Sequence, residues 1–334
     1  MSDEPSYDIV VPTVGRACLA RLLIALDRGH GPRPGMVVLV DDRPLGSAPL
    51  DLPGLPRLDG LVKVVQGAAA GPAAARNLGW RAASAPWVAF LDDDVVPDPD
   101  WAERLAADLA AAGPDVAGSQ ARLRVPLRGG RRPTDWERNV AGLAGARWIT
   151  ADLAYRRDAL AAVGGFDERF PRAYREDADL GLRLTRAGWR ILPGSRNTAH
   201  PVRPAGFWVS VALQAGNADD ALMAALHGPG WREAAGVPPG RRPAHLAVTA
   251  AGLLGLTGLA AGRRRAAAAG ALLWAAGTAE LTLARVRPGP RTPAEVTRMA
   301  VTSAVVPVAA SWHWLRGLAG RRRLLARQGP VAGA

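Results

Sequence analysis

Three consecutive aspartates, Asp92, Asp93 and Asp94, end an apolar run that reads W-V-A-F-L. Their mutual repulsion disfavours the folded state unless a partner removes it. An acidic turn in water is one explanation, because aspartate is a common turn residue and prolines follow at 97 and 99. A divalent cation is the other, because hard cations bind carboxylate oxygens and neutralise their charge. The triplet alone leaves both explanations open.

The elements that must position these acids follow an alternating pattern. Apolar runs predict strands over residues 8–12, 36–40, 61–65 and 87–91, and helical spacing predicts helices over 16–28, 72–83 and 101–112. Such alternation is typical of β-α-β units around a mostly parallel sheet. The pair Asp41–Asp42 and the aspartate triplet both fall at the carboxyl end of a strand. In open α/β sheets this is the edge where ligands bind.

After these elements the sequence predicts one or two further strands in 116–126, followed by a polar, basic segment over 128–139 that we expect to be a loop. Residues 175–189 predict an amphipathic helix with Leu180, Leu182 and Leu184 on its apolar side and Gly188 at its end.

An apolar region begins near residue 240. Residues 245–262 and 266–284 approach the length that crosses a bilayer, and 299–312 is a third apolar stretch. Arginine clusters at 263–265 and 285–291 separate them. With the first half of the chain inside, a spanning hairpin would place Arg263, Arg264 and Arg265 outside, against the positive-inside tendency. Interfacial helices, an oligomerisation tail and true spans therefore all stay open.

The composition of the chain bears on the number of domains, the type of partner and the location of the protein. The 334 residues, 49% of them hydrophobic, suffice for one large or two modest domains. A net charge of +12, almost wholly from arginine, favours anionic partners such as phosphorylated substrates or acidic lipid head groups. We expect no nucleic-acid partner, because only 5% of residues are aromatic and no nucleic-acid motif occurs. A single cysteine, Cys18, and the lack of an export-signal pattern predict a cytoplasmic location.

Six segments in order carry a family resemblance: PTVGR (12–16), VDDRP (40–44), GPAAARNLGW (71–80), FLDDD (90–94), VGGFDERF (163–170) and REDADLGLRLTRAGW (175–189). In this order they closely resemble the family-2 glycosyltransferases of GT-A fold, over roughly residues 7–200. The resemblance implies an α/β, Rossmann-like, mostly parallel sheet flanked by helices. It also implies an enzyme that binds a nucleotide-sugar and transfers the sugar with inversion.

On the donor side, the resemblance implies that Pro12, Thr13 and Arg16 lie beside the nucleotide. Asp41 or Asp42 would accept a hydrogen bond from the base, since uracil, thymine and guanine each present a ring N–H donor. An Asx-turn that closes the second strand is the alternative for this pair.

The resemblance places Arg76 and Asn77 near the diphosphate, where a guanidinium would neutralise phosphate charge. An ordinary surface arginine on a helix is the alternative for Arg76.

The resemblance also implies a metal site. Asp92 and Asp94 match the D-x-D motif, in which the last aspartate ligates Mg²⁺ or Mn²⁺ and the first reaches the ribose or a metal-bound water. Asp93 is assigned no role beyond the turn. His200 corresponds to a third metal ligand in some relatives, with a structural role as its alternative.

On the acceptor side, Asp177 matches the aspartate of the family's E-D motif, which takes the proton from the incoming hydroxyl. Glu176 is the second candidate for the base. Trp148, Thr150 and Asp152 match the stretch that lines the acceptor or sugar pocket in relatives. Core packing is the alternative for the tryptophan.

The resulting hypothesis is a metal-dependent inverting transferase that moves a single sugar from a UDP-, GDP- or dTDP-linked donor to a cell-envelope or lipid-linked acceptor. A single transfer is expected because no Q-x-x-R-W signature follows residue 200. Arg43-Pro44 departs from the family pattern and leaves the base and ribose contacts open. A nucleotidyl or sugar-phosphate transferase and a non-catalytic scaffold are the alternatives.

We expect a catalytic domain over 1–205, a helical extension over 206–240 and an apolar, arginine-rich helical tail over 241–334. Residues 241–320 of that tail would associate the protein with the inner face of the cell membrane.

Overall fold

The computed structural model describes residues 5–326, so the outer ends of the predicted segments 1–205 and 241–334 lie outside the described residues. The strands are β1 Tyr7–Thr13, β2 Val37–Asp41, β3 Val62–Gln66, β4 Trp87–Leu91, β5 Val96–Pro97, β6 Val116–Arg124, β7 Asp152–Arg156 and β8 Arg190–Ala199. Helices between them are α1 Cys18–Arg28, α2 Pro72–Ala82, α3 Trp101–Ala110, α4 Asp135–Ala141, α5 Arg157–Ala162 and α6 Glu176–Arg186. After β8 come α7 Val209–Ala212, α8 Gly216–His227, α9 Trp231–Ala234, α10 Arg242–Ala260, α11 Arg264–Val286 and α12 Pro293–Ala326.

All the strands within residues 5–326 belong to one mixed sheet, in the order β3-β2-β1-β4-β7-β6-β8-β5. Strands β3, β2, β1 and β4 are parallel neighbours, whereas β7 pairs antiparallel with both β4 and β6. Strand β8 is parallel to β6, and β5 is antiparallel to β8. Because two antiparallel pairings separate β4 from β6, strands β1, β2, β4, β6 and β8 point in one direction. Their carboxyl ends therefore meet at one edge of the sheet.

Strands β1, β2 and β4 are buried on both faces, which explains their continuous apolar runs, whereas the edge strand β3 is largely exposed. On β1, Ile9 and Val11 pack with α1 and α3 on one face, while Val10 packs with α2, α5 and α6 on the other. Helix α2 lies very close to the sheet, since a Cβ at Gly79 would sit 2.3 Å from a methyl of Val10. Glycine at this position lets α2 bring Arg76 to the carboxyl edge.

The prediction of a loop over 128–139 is wrong for its second half, where α4 forms. Thr134 Oγ1 accepts a hydrogen bond from the Glu137 backbone N–H at 3.2 Å, and the Glu137 carboxylate accepts one from the Thr134 N–H at 2.7 Å. This reciprocal capping box satisfies two backbone donors at the start of the helix. It overrides the polar, loop-like composition of the segment.

Helices α10 and α11 form an antiparallel hairpin in which glycines allow close contact. A Cβ at Gly270 would lie 2.3 Å from the backbone nitrogen of Gly255. Among the described helices, these two are long and apolar enough to cross a membrane. The third apolar stretch, 299–312, lies within α12, which packs against α7, α8 and both helices of the hairpin.

Candidate functional site

The carboxyl edge of the sheet borders an open cavity of about 550 Å³. Strand β1 ends there at Thr13, β4 leads into the aspartate triplet, β8 leads into His200, and α6 begins there with Glu176. Most of the predicted site residues line this cavity: Pro12, Thr13, Arg16, Asp42, Arg76, Asp92, Asp94, Thr150, Glu176, Asp177 and His200. The fold thus brings together residues that are up to 188 positions apart in the sequence.

Asp92, Asp94 and His200 form a group that could hold a metal ion. One ligand atom from each lies within 4.8 Å of the other two. His200 Nε2 is 3.6 Å from Asp94 Oδ1, and His200 Nδ1 is buried without a hydrogen-bond partner in residues 5–326. Two carboxylates and an imidazole provide oxygen and nitrogen donors for a divalent cation. The donor set and the unpartnered ring nitrogen fit the predicted Mg²⁺ or Mn²⁺.

Asp94 is held in a position that disfavours its charge. Burial raises the pKa of Asp94 above its ordinary value, and the Asp92 carboxylate raises it further. Arg203 offsets part of this effect, with its Nε 2.7 Å from Asp94 Oδ2. Arg203 was not among the predicted site residues, because one arginine in an arginine-rich chain carries no distinguishing signal. A dication would compensate the carboxylates more strongly than a single guanidinium.

Asp93 joins the loop after β1 to the end of β4. Its carboxylate accepts hydrogen bonds from Thr13 Oγ1 at 2.7 Å and from an Arg16 terminal nitrogen at 2.9 Å. The sequence analysis assigned Asp93 no role beyond the turn. The structure shows that this residue holds Thr13 and Arg16 at the cavity.

Arg76 connects the metal-ligand group with the start of α6. Its two terminal nitrogens donate to Asp92 Oδ1 and Glu176 Oε1, each at 2.8 Å, and its side chain is only 2% exposed. The ring of Phe166 lies 5.6 Å from the guanidinium carbon. Arg76 is therefore a buried bridge between two carboxylates, rather than the surface arginine that was its alternative.

Glu176 and Asp177 share the first turn of α6. Burial, followed by the adjacent Asp177 charge, raises the pKa of Glu176 to about 8. Burial also raises the pKa of Asp177, although its carboxylate accepts a hydrogen bond from the Ala178 N–H at 2.7 Å. A carboxylate that faces a cavity with a raised pKa has the properties of a general base.

Asp41 and Asp42 have different surroundings. Asp42 lines the cavity, where its carboxylate accepts hydrogen bonds from the backbone N–H groups of Ala70 and Gly71. Asp41 lies outside the cavity lining and is bound by Arg43 through two nitrogens, at 2.7 and 2.6 Å, and through the Arg43 backbone N–H. Asp41 thus makes the contacts of the Asx-turn that was its alternative, and Asp42 is the member of the pair that faces the cavity.

Asn77 and Trp148 do not line the cavity, which corrects both placements. The Asn77 amide donates to the carbonyl of Phe166 and to Glu168, and it accepts from the Phe166 N–H. Trp148 is buried against α6, where a Cβ at Gly181 would come within 2.2 Å of its ring. Asn77 thus orders the turn after α5, and Trp148 packs in the core.

Asp152 is also a structural residue rather than part of the pocket lining. It is fully buried and accepts hydrogen bonds from Trp101 Nε1 at 2.7 Å, from Arg196 Nε at 2.9 Å and from Thr198 Oγ1. These partners lie on α3 and β8, so Asp152 ties the start of β7 to its surroundings. Of the three predicted pocket residues, Thr150 lines the cavity.

Residues 8–166 match the family described as Glycosyl transferase family 2. The match covers just under half of the chain, and this segment is similar in sequence to that family. It includes Asp92 and Asp94 of the candidate metal group, and Arg76. It ends before Asp177 and His200, so the placement of those two residues rests on the geometry of the cavity.

Two relatives from Mycobacterium tuberculosis are similar to parts of this chain. A pre-mycofactocin glycosyltransferase is 36% identical over 135 residues, which are 36% of this chain and 28% of the relative. An N-acetylglucosaminyl-diphospho-decaprenol L-rhamnosyltransferase is 54% identical over 43 residues, 13% of this chain and 14% of the relative. The chain therefore spans less than a third of the length of either relative.

A solved mannosyltransferase from Pyrobaculum calidifontis, in complex with GDP-Man and Mn²⁺, resembles this chain with a TM-score of 0.54 and 19% identity. The likeness covers 94% of this chain and 88% of that structure. It supports the GT-A fold of the chain.

Proposed function

We propose that this chain is a metal-dependent, inverting glycosyltransferase, and that it transfers one sugar from a UDP-, GDP- or dTDP-linked donor to a hydroxyl of a lipid-linked or other cell-envelope acceptor. The observation that carries the proposal is the shared cavity, lined by the Asp92, Asp94 and His200 group and by Asp177. The Pyrobaculum structure with GDP-Man and Mn²⁺ supports the donor class. The rhamnosyltransferase named for a diphospho-decaprenol sugar supports the acceptor class.

In this proposal Asp177 takes the proton from the acceptor hydroxyl as its oxygen attacks the anomeric carbon. The bond between that carbon and the diphosphate oxygen breaks, and the nucleoside diphosphate leaves with the electron pair. Attack from the face opposite the leaving group inverts the anomeric centre. Glu176 stays on Arg76 and orients the first turn of α6.

The donor side uses the residues at the ends of β1, β2, β4 and β8. Asp92, Asp94 and His200 would hold the cation, which when bound would neutralise the diphosphate and the charge that develops on the leaving nucleotide. Thr13 and Arg16, held by Asp93, border the nucleotide, and Asp42 fixes the loop before α2.

A donor screen tests the proposal. Purified protein with Mn²⁺ or Mg²⁺ is incubated with UDP-, GDP- and dTDP-sugars, and release of the nucleoside diphosphate is measured with and without a polyprenyl-phosphate-linked acceptor. We expect one nucleotide class to be released in a metal-dependent way. The product should carry one added sugar by mass spectrometry and an inverted anomeric configuration by NMR. Absence of both release and binding for all three nucleotide classes would reject the proposal.

The α10–α11 hairpin supports a location at the membrane. Its exposed leucines include Leu256 at 67% and Leu272 at 71%, an unfavourable arrangement in water. A helix of 19 residues is about 28 Å long, close to the thickness of a bilayer core of about 30 Å. We infer that the hairpin crosses the membrane with residues 1–205 on the cytoplasmic side, and that the extension 206–240 packs between this domain and the tail.

The distribution of arginines supports this orientation. The turn of the hairpin carries Arg263, Arg264 and Arg265, whereas more arginines stand where the hairpin joins the rest of the protein: Arg241, Arg242, Arg285, Arg287 and Arg291. The basic loop before α4 lies beside them, because an Arg132 terminal nitrogen donates to the Arg287 carbonyl at 3.2 Å. Arg263, Arg264 and Arg265 taken alone oppose this orientation, but the larger number of arginines at the other end of the hairpin outweighs them, in agreement with the positive-inside rule.

Cysteine labelling tests the orientation, because Cys18 is the single native cysteine. In a Cys18→Ser background, A261C places a thiol at the hairpin turn and G129C places one in the exposed loop before α4. We expect a membrane-impermeant maleimide to label A261C in spheroplasts and G129C only after lysis. Labelling of A261C only after lysis would refute a spanning hairpin and favour a surface helix or an oligomer contact.

A further inference from the structure

The residue before Glu176 and Asp177 has an unusual backbone conformation. Arg175, the N-cap of α6, has φ 79° and ψ −15°, in the left-handed region that non-glycine residues avoid. Its carbonyl accepts the first hydrogen bond of α6, from the Asp179 N–H at 2.8 Å. Glu176 and Asp177 follow directly, so the conformation of Arg175 sets the direction in which their side chains leave the backbone.

The side chain of Arg175 is held on several sides. Its Nε donates to Asp220 Oδ1 at 2.8 Å and a terminal nitrogen donates to the Tyr174 hydroxyl at 2.7 Å. The guanidinium carbon lies 4.2 Å from the centre of the Tyr174 ring and 5.0 Å from that of Trp231. Asp220 is on α8 and Trp231 on α9, so these contacts come from the helices that follow β8.

Asp220 is itself well placed to keep this contact. It is 5% exposed, and its second oxygen accepts a hydrogen bond from Arg232. The neighbouring Asp219 accepts two hydrogen bonds from an Arg172 terminal nitrogen, at 3.0 and 2.9 Å. Helix α8 therefore holds the loop before α6 at two points, of which Asp220 alone contacts the left-handed residue.

We propose that Asp220 is a positioning residue that keeps Arg175 in the left-handed conformation and thereby aims Asp177 at the acceptor hydroxyl. Such a conformation persists only where surrounding contacts enforce it. The inference rests on the proposed function for the role of Asp177. The structural part, that Asp220 determines the start of α6, holds independently of which sugar is transferred.

Four variants test the kinetic part: Asp220→Ala, Arg175→Ala, Arg175→Gly and the double variant Asp220→Ala/Arg175→Gly. Loss of the contact should lower kcat by about 10- to 100-fold in Asp220→Ala and in Arg175→Ala, since a small misplacement of a catalytic group has effects of this size. The donor KM should stay unchanged. Glycine adopts a positive φ without strain, so Arg175→Gly should keep most of the activity and the double variant should match it.

Asp219→Ala is the matched control, because it removes an equally buried partner of an arginine on the same loop without touching Arg175. We expect its kcat to remain close to that of the wild type. A kcat in Arg175→Gly as low as in Arg175→Ala, or a further loss in the double variant, would overturn the proposal.

Hydrogen–deuterium exchange tests the same idea without enzyme activity. The Asp179 amide, which donates to Arg175, should exchange faster in Asp220→Ala and return to the wild-type rate in the double variant. Unchanged exchange in Asp220→Ala would overturn the positioning role. A wild-type protein that turns over no donor, yet shows this exchange pattern, would refute the proposed function and leave the positioning role standing.

Discussion

At the carboxyl edge of the sheet, charged side chains are buried and paired, as Arg76 is between Asp92 and Glu176. In the α10–α11 hairpin the reverse holds, because large apolar side chains such as Leu256 and Leu272 are exposed. Buried charges need fixed partners, and exposed apolar surface needs a cover other than water. The two regions therefore suit different surroundings, and in the proposed function these are an anionic ligand with a cation at the sheet edge and lipid around the hairpin.

The largest effect is expected on kcat, and it should differ between two aspartates that make the same backbone contact. Asp177 and Asp158 each accept a hydrogen bond from the next backbone N–H at 2.7 Å, but Asp158 is exposed on α5, away from the cavity. Asp177→Asn should lower kcat by about 10³-fold, the size expected for loss of a general base, while donor binding by calorimetry is retained. Asp158→Asn should leave both quantities unchanged. Full activity in Asp177→Asn would remove the base assignment.

Two arginines on α2 test the buried charges of the edge. Arg76→Met should lower the free energy of unfolding by about 3–5 kcal/mol, because it leaves Asp92 and Glu176 without their shared partner. Arg81→Met should change it by less than about 1 kcal/mol, because Arg81 is half-exposed and pairs with Glu168 at 3.9 Å. Denaturant titration of both variants in one detergent measures the difference. Equal losses would contradict the distinction.

Two leucine-to-alanine variants compare how much the sheet and the hairpin contribute to the free energy of unfolding. Leu39→Ala, in the fully buried β2, should lower the free energy of unfolding by about 2–5 kcal/mol. Leu256→Ala, on α10, should change it by no more than about 0.5 kcal/mol when lipid is absent. The same titration applies to both. A large loss in Leu256→Ala would mean that a second copy covers the hairpin, rather than lipid.

The dependence of stability on pH gives a smaller effect. The pKa of Glu176 rises from 4.5 in the unfolded chain to about 8 in the fold. Between these values the folded state binds the additional proton, so the stability contribution of Glu176 falls as pH increases through this window. Stability of the wild type relative to Glu176→Gln should therefore decrease from pH 5 to pH 8. A constant or increasing difference would show that Arg76 keeps Glu176 ionised.

Much of the sheet could be predicted from the sequence. Strand β4 occupies 87–91 as expected, and β1, β2 and β3 lie within one residue of their predicted bounds. Continuous apolar runs between turn residues give a strong local signal. Ligands bind at the carboxyl ends of the strands in open α/β sheets, and this expectation correctly predicted that Asp42, Asp92 and Asp94 lie at one cavity. Helix α4 was missed although its capping box, Thr134 to Glu137, was visible in the sequence.

The remaining contacts depend on tertiary structure. His200 reaches Asp94 because β8 runs parallel to β4 with β7 and β6 between them, an order that no local pattern encodes. The motif positions of Asn77 and Asp152 predict contacts with the ligand, yet both side chains make their hydrogen bonds to other residues of the protein. A polar residue in a motif can bind a ligand or hold the scaffold. Only the position of its partners distinguishes the two roles.

The most direct test of the central claim is a Mn²⁺ titration, followed by electron paramagnetic resonance, of the wild type and Asp94→Ala with and without nucleoside diphosphate. We expect one tight Mn²⁺ site in the wild type, stronger Mn²⁺ binding there when the cognate nucleotide is present, and loss of that site in Asp94→Ala. Equal Mn²⁺ binding by both proteins, or no binding by the wild type with any of UDP, GDP or dTDP, would contradict it.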